Sequence, residues 1–118
     1  MELKTRIYLL DDEKKKFMGA GVMWLLQKTR DLGSLRKAAQ DMDISYSKAF
    51  HMVKHLEESL GKEVLVRQKG GSSREGAHLS PFGQSFLSLY ESFYANVKMV
   101  IEKPYEEFCQ SLSGLMED

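Results

Sequence analysis

The chain has a single cysteine, Cys109, among 118 residues. One cysteine excludes an internal disulfide framework and fits a reducing compartment. There is no net charge either: 17 Lys and Arg balance 17 Asp and Glu, which at first sight speaks against a nucleic-acid partner. Charged residues interrupt every apolar run, so neither a signal peptide nor a membrane span is expected, and a soluble, cytoplasmic protein is. The usual apparatus of an enzyme is missing. There is no carboxylate pair and no Ser/His/Asp constellation with a supporting motif. Gly19-Ala20-Gly21 lacks the spacing and the following Lys-Ser/Thr of a phosphate loop. His51 and His55 have the i, i+4 spacing of two ligands on one helical face, but His78 and Cys109 are the only other candidate soft ligands, and nothing fixes them nearby. Neither catalysis, a cofactor nor a metal is expected; the two histidines face solvent or DNA.

What remains is the composition of one globular domain with a single core, 42% hydrophobic and 29% charged. Its charge is unevenly spread. Between Ser45 and His78, Lys48, Lys54, Lys62, Arg67, Lys69 and Arg74 stand against four acids, whereas from Ser80 onward Lys98 and Lys103 stand against six. A mildly basic middle and an acidic tail are compatible with DNA binding.

The stretch from Ser34 to Arg67 organises the chain. Ser34 is a good N-cap, and the segment it opens runs through Ala38-Ala39 to Met42. It breaks at Asp43-Ile44, restarts at a second cap, Ser45, and continues until Gly61. Two short helices joined by a tight turn form a helix-turn-helix. The alanine pair lets the second helix cross closely over the first, and Asp43 tolerates the left-handed backbone that the turn requires. Turned at about 100° per residue, Ala49, Val53, Leu56 and Leu60 of the second helix form a core-facing arc. The opposite arc carries Ser47, His51, Lys54 and Glu58, flanked by Lys48 and His55. Phe50 falls between the arcs and is expected to pack on the first helix or on the hairpin that follows.

Before this unit, Glu2 to Leu10 alternates, with Leu3, Thr5, Ile7 and Leu9 on one face, as a half-buried strand does. Lys14 to Met18 returns as a short second strand, and Lys14-Lys15-Lys16 reads as a solvated turn. A helix follows, with Val22, Leu25, Leu26, Thr29 and Leu32 at core spacing and Gly33 as its stop; Trp24 lies off that stripe and suits either a second buried face or a subunit contact. After the helix-turn-helix, Val64 to Arg67 and the apolar Leu79 flank KGGSSREG, which reads as a hairpin with Lys69 and Arg74 near its tip. Ser80-Pro81 starts a long helix with Phe82, Phe86, Leu89, Phe93, Val97 and Val100 at spacings of three and four. That stripe outruns what a small head can cover, so a partner helix is expected over it. Pro104 interrupts the helix, and Tyr105 to Leu115 forms a short final one.

The runs ISYSKAFHMVKHLEESLG, LVRQKGG and LSPFGQSFLSLY resemble the winged helix-turn-helix head of LysR-type regulators, and more closely the N-terminal domain of the ModE-type, molybdate-responsive repressors. The likeness covers roughly residues 5 to 95. Asp43 replaces the glycine usual at the turn, and SSREG replaces a more glycine-rich wing. ModE-type repressors carry C-terminal molybdate-binding domains; this chain ends at Asp118 without room for one, so no small-molecule effector is expected.

The resemblance implies a mainly α fold with small β elements. A winged head fills residues 1–80: strand or hairpin 2–18, helix 19–32, helix-turn-helix 34–60 and wing 64–79. A dimerisation helix and tail fill 81–118. It implies a homodimeric, sequence-specific regulator on an inverted-repeat DNA site. DNA contacts are expected from Ser34, Lys37, Ser45, Tyr46, Ser47, Lys48, His51, Lys54, Arg67, Lys69 and Arg74. The subunit contact is expected at Trp24, Phe82, Phe86, Leu89, Phe93, Val97 and Val100. The competing class is a winged-helix module that binds another protein and has little DNA affinity.

Overall fold

A computed structural model describes residues 1–70 and 74–117. Of residues 68–70, 74 and 75 only the backbone is described. Two antiparallel hairpins and five helices follow in the order β1 (Tyr8–Leu10), β2 (Lys16–Gly19), α1 (Ala20–Leu32), α2 (Leu35–Asp41), α3 (Tyr46–Leu60), β3 (Leu65–Gly70), β4 (Arg74–Leu79), α4 (Pro81–Val100) and α5 (Glu102–Glu117). The mainly helical winged fold expected from sequence is the one observed.

The first strand is shorter than its alternation implies. Thr5, Ile7 and Leu9 are half-buried in turn, but only Tyr8–Leu10 pairs, because β2 offers just Lys16–Gly19 before α1 begins. Residues 1–7 find other partners. Lys98 Nζ donates to the Thr5 carbonyl and hydroxyl oxygens at 2.9 and 2.8 Å. The Tyr105 hydroxyl donates to the Met1 carbonyl at 2.9 Å. Leu3, assigned to the inner face, is exposed. Leu32, assigned to the core stripe of α1, is exposed as well. It sits in the last turn, beyond the layer that Leu25, Leu26 and Thr29 bury, and the Gly33 N–H closes that turn on the Thr29 carbonyl at 2.8 Å.

Ala38, Ala39 and Ala49 are almost wholly buried, so α2 and α3 meet backbone-close, as the small side chains require. Asp43 adopts φ 58 in the turn. The Ser34 and Ser45 hydroxyls accept from Lys37 N and Lys48 N at 3.1 and 3.0 Å, capping the two helices.

From α3 the chain enters the wing under the control of one side chain. Glu57 Oε2 accepts from Val64 N at 2.8 Å and from Leu65 N at 3.1 Å. Ser80 N donates to the Val64 carbonyl at 2.9 Å, the Ser80 hydroxyl to the Glu63 carbonyl at 2.6 Å, and Gly83 N to that same hydroxyl at 2.9 Å. Gly83 lies so close to Val64 that a Cβ would stand 2.2 Å from its carbonyl oxygen.

Helix α4 buries Leu87 and Tyr90 on the head, and Gln27 Nε2 ties α1 to it through Glu91 Oε2 at 2.7 Å. It then leaves the core. The regular helix pauses at Ile101 rather than at Pro104. Pro104 is instead the third residue of α5, where its missing N–H has no acceptor to forgo. The final helix is therefore longer than Tyr105 to Leu115, and none of its residues is buried. Helices α4 and α5 extend the molecule to 72 × 29 × 23 Å. Its radius of gyration, 18.6 Å, exceeds the roughly 13–14 Å of a compact chain of this length.

Candidate nucleic-acid interface

Helix α3 presents its expected outer arc. Ser47, Lys48, His51 and Lys54 are exposed, while Ala49, Val53 and Leu56 are buried. His51 Nδ1 lies 2.7 Å from the Ser47 carbonyl oxygen. A carbonyl only accepts, so this nitrogen carries the proton, and Nε2 is left for an outside partner.

Tyr46 is half-buried rather than extended from the surface. The Arg36 guanidinium lies over its ring at 4.4 Å. Phe50 packs towards the wing, with the Arg67 guanidinium over its ring at 4.3 Å and the His51 ring edge-on at 5.5 Å. Arg36 of α2 and Arg67 of β3 thus rest on two aromatic rings of α3, beside its exposed arc. Stacking on a ring holds a guanidinium in place beside that arc. Arg36 escapes a reading of the sequence because nothing local distinguishes it from Lys37; only the crossing of α2 over α3 brings it to Tyr46.

The remaining expected contacts are dispersed. Lys37 and Ser45 are exposed, the Ser45 hydroxyl being used as a cap. Ser34 is buried and likewise spends its hydroxyl on a cap. Lys69 and Arg74 lie in β3 and β4 near the tip, but their side chains, like residues 71–73, fall outside the described structure.

On the other flank of α3, His55 Nε2 lies 3.4 Å from Asp11 Oδ2 in the first hairpin. The other oxygen of Asp11 accepts from Glu13 N and Lys15 N, each at 2.9 Å. These backbone donors, Lys15 first, hold the Asp11 carboxyl below the usual carboxylate range, with His55 adding to the effect. Among the described residues no group of three or more His, Cys, Asp or Glu is placed to hold a metal ion, and no helix is long and apolar enough to cross a membrane.

Of the residues expected at a subunit contact, Phe86 and Val97 are half-buried, Phe82, Phe93 and Trp24 are more exposed, and Leu89 and Val100 are 71% and 70% exposed. Phe82, Phe86, Tyr90 and Phe93 form a continuous ladder of rings along α4. Trp24 stands apart from that ladder and lines a concavity with Tyr94 and Lys98.

The family model described as bacterial regulatory helix-turn-helix protein, lysR family, matches residues 23–84, more than half of the chain. The chain belongs to this family. The α2–α3 unit lies within the matched residues and is the helix-turn-helix of this family. Similar proteins include the molybdenum-pterin-binding protein MopB of Rhodobacter capsulatus, 30% identical over 84 residues, which are 71% of this chain and 31% of MopB. Transcriptional regulator ModE of Yersinia pestis is 34% identical over 68 residues, 57% of this chain and 26% of ModE. The match thus spans under a third of either relative. Among solved structures, a crystal structure of the BenM_DBD/benA site 1 DNA complex shares the LysR-type fold. Its TM-score is 0.57 at 20% identity, covering 75% of this chain and 94% of that one.

Proposed function

We propose that the protein is a homodimeric, sequence-specific regulator that binds an inverted-repeat DNA site through helix α3. The observation that carries this reading is the exposed row Ser47, Lys48, His51 and Lys54, bordered by Arg36 and Arg67 stacked on aromatic rings. In this proposal Ser47 and His51 meet base edges, while Lys54, Arg67 and the wing cations Lys69 and Arg74 neutralise phosphates. Dimerisation is supported by Leu89, Phe93 and Val100, which lie exposed along one long helix. A two-fold axis through that helix sets two α3 helices into successive major grooves, about 34 Å apart.

Binding measured over a salt series, on a selected site and on scrambled DNA, tests the DNA reading. Affinity is expected to fall steeply with salt. Lys54→Ala is expected to lower the slope by about one unit on both DNAs. Ser47→Ala and His51→Ala are expected to relax preference at particular base pairs, by roughly 1–3 kcal/mol for a good contact. Salt-independent binding with no preference for an inverted repeat would give the head to a protein partner instead. Light scattering tests the assembly: wild type is expected to be a dimer and Phe93→Asp a monomer, because the carboxylate would be buried unpaired. A variant that stays dimeric places the interface elsewhere.

A further inference from the structure

We propose that the N-terminal hairpin is a second wing, and that the groove between it and α3 seats the sugar–phosphate backbone of one DNA strand, with Lys16 and Lys14 contacting phosphates. This rests on the DNA-binding reading above and extends it to a hairpin that lies outside the family match, which begins at residue 23.

The groove holds about 520 Å³. Lys16 rises from the hairpin side, Lys48, His51 and His55 from α3, and Trp24 and Met52 contribute to its apolar floor. Among the described residues no carboxylate lines it. Two lysines, Lys16 and Lys48, stand in the lining with no lining acid, and Asp11, outside the lining, pairs with His55 at 3.4 Å, so the groove suits an anionic partner. Lys48 and His51 also belong to the exposed arc of α3, so the groove is continuous with the face already assigned to DNA.

Placement adds to the argument. At about 100° per residue, Phe50 and His55 fall on opposite sides of the Ser47–His51–Lys54 arc. The wing reaches α3 on the Phe50 side through Arg67, and the hairpin reaches it on the His55 side through Asp11. The reading helix is therefore flanked by a hairpin on each side. The first hairpin is also held in shape, since the Asp11 carboxylate takes two backbone N–H groups of its own turn. That leaves the carboxylate of Asp11 engaged, and Lys16 extended over the Tyr8 ring at 4.4 Å. Lys14, in the turn between the two strands and outside the groove's lining, is exposed with φ 65. An acidic, apolar peptide would also fit such lining; DNA is favoured because the groove and the recognition face share residues.

The test replaces Lys14 and Lys16 by Ala, singly and together, with Lys103→Ala on α5 as the control. Binding is followed by anisotropy over a salt series on the selected site and on scrambled DNA. Each single hairpin variant is expected to weaken binding about five-fold near 0.15 M salt on both DNAs and to lower the salt slope by about one unit, and the double variant by about two units. The control is expected to match wild type. If wild type binds with a steep salt slope and the hairpin variants bind identically, the second wing is wrong and the DNA reading survives. If wild type has no salt-dependent affinity, both fall. If Lys16→Glu leaves DNA binding intact but abolishes binding of a Glu/Leu-rich helical peptide, the groove is a protein dock and the proposal is overturned.

Discussion

Gly83 and Gly114 both lie inside helices, yet an added methyl group meets opposite surroundings. At Gly83 it would stand 2.2 Å from the Val64 carbonyl oxygen, whereas at Gly114 nothing lies within 4 Å. Backbone cannot step aside as a flexible side chain does, so Gly83→Ala is expected to cost about 2–3 kcal/mol. Gly114→Ala is expected to stabilise its helix by up to about 1 kcal/mol. Urea unfolding of the two variants decides; equal midpoints would mean that α4 is not docked on Val64. Asp11 offers a pH test. Its carboxyl titrates below the ordinary range because the ionised form accepts backbone N–H groups. A depressed folded-state pKa contributes stability above the unfolded value, near pH 4, and that contribution is lost as pH falls through the folded one. Amide exchange at Glu13 and Lys15 is expected to accelerate in acid, and Asp11→Asn to remove the acid-dependent part. Exchange that ignores pH after correction for intrinsic rates would show that the carboxylate does not hold the turn.

At the scale of elements, the N-terminal segment acts as a splint. Thr5 is held by Lys98 in α4 and Met1 by Tyr105 in α5, so its two anchors straddle the pause at Ile101. Lys98→Ala with Tyr105→Phe is expected to leave head stability unchanged while raising amide exchange around residues 100–105. If exchange there does not change, the splint carries no load. These links mark where the sequence stopped being legible. Both helices of the reading unit, their serine caps, the Asp43 turn and the wing were readable, because caps, breakers and apolar spacing act within a few residues. The fate of residues 1–7 was not, since the alternation of Thr5, Ile7 and Leu9 records half-burial without naming the neighbour. Likewise Glu57 looks like any surface acid until the chain folds Val64 back onto it.

At the scale of the molecule, neutral net charge is reconciled with DNA binding by segregation. The acids of α5 stand on an arm that leaves the head, and the cations of α3, β3 and the first hairpin stay on the head. The candidate site was legible to the same degree. The row on α3 followed from helical spacing, while Arg36 over Tyr46 and the hairpin beside His55 depend on contacts between distant elements.

The close seat of Gly83 on Val64 has a mechanical consequence. The start of α4 is joined through Ser80 to Glu63 and Val64, and Val64 is joined through Glu57 to α3, with little slack anywhere along that line. A twist applied to the arm is expected to reach α3 as torque, and α3 seated in DNA, as proposed, is expected to twist the arm in return by an equal coupling free energy. In the proposed dimer, spin labels at Gln110→Cys, with Cys109→Ser in the background, are expected to change separation when operator DNA is added. Glu57→Ala, which releases the Val64 and Leu65 N–H groups, is expected to lose that change. An unchanged separation in the otherwise native protein would mean the joint slips, and that the arm holds two heads together without hearing from either.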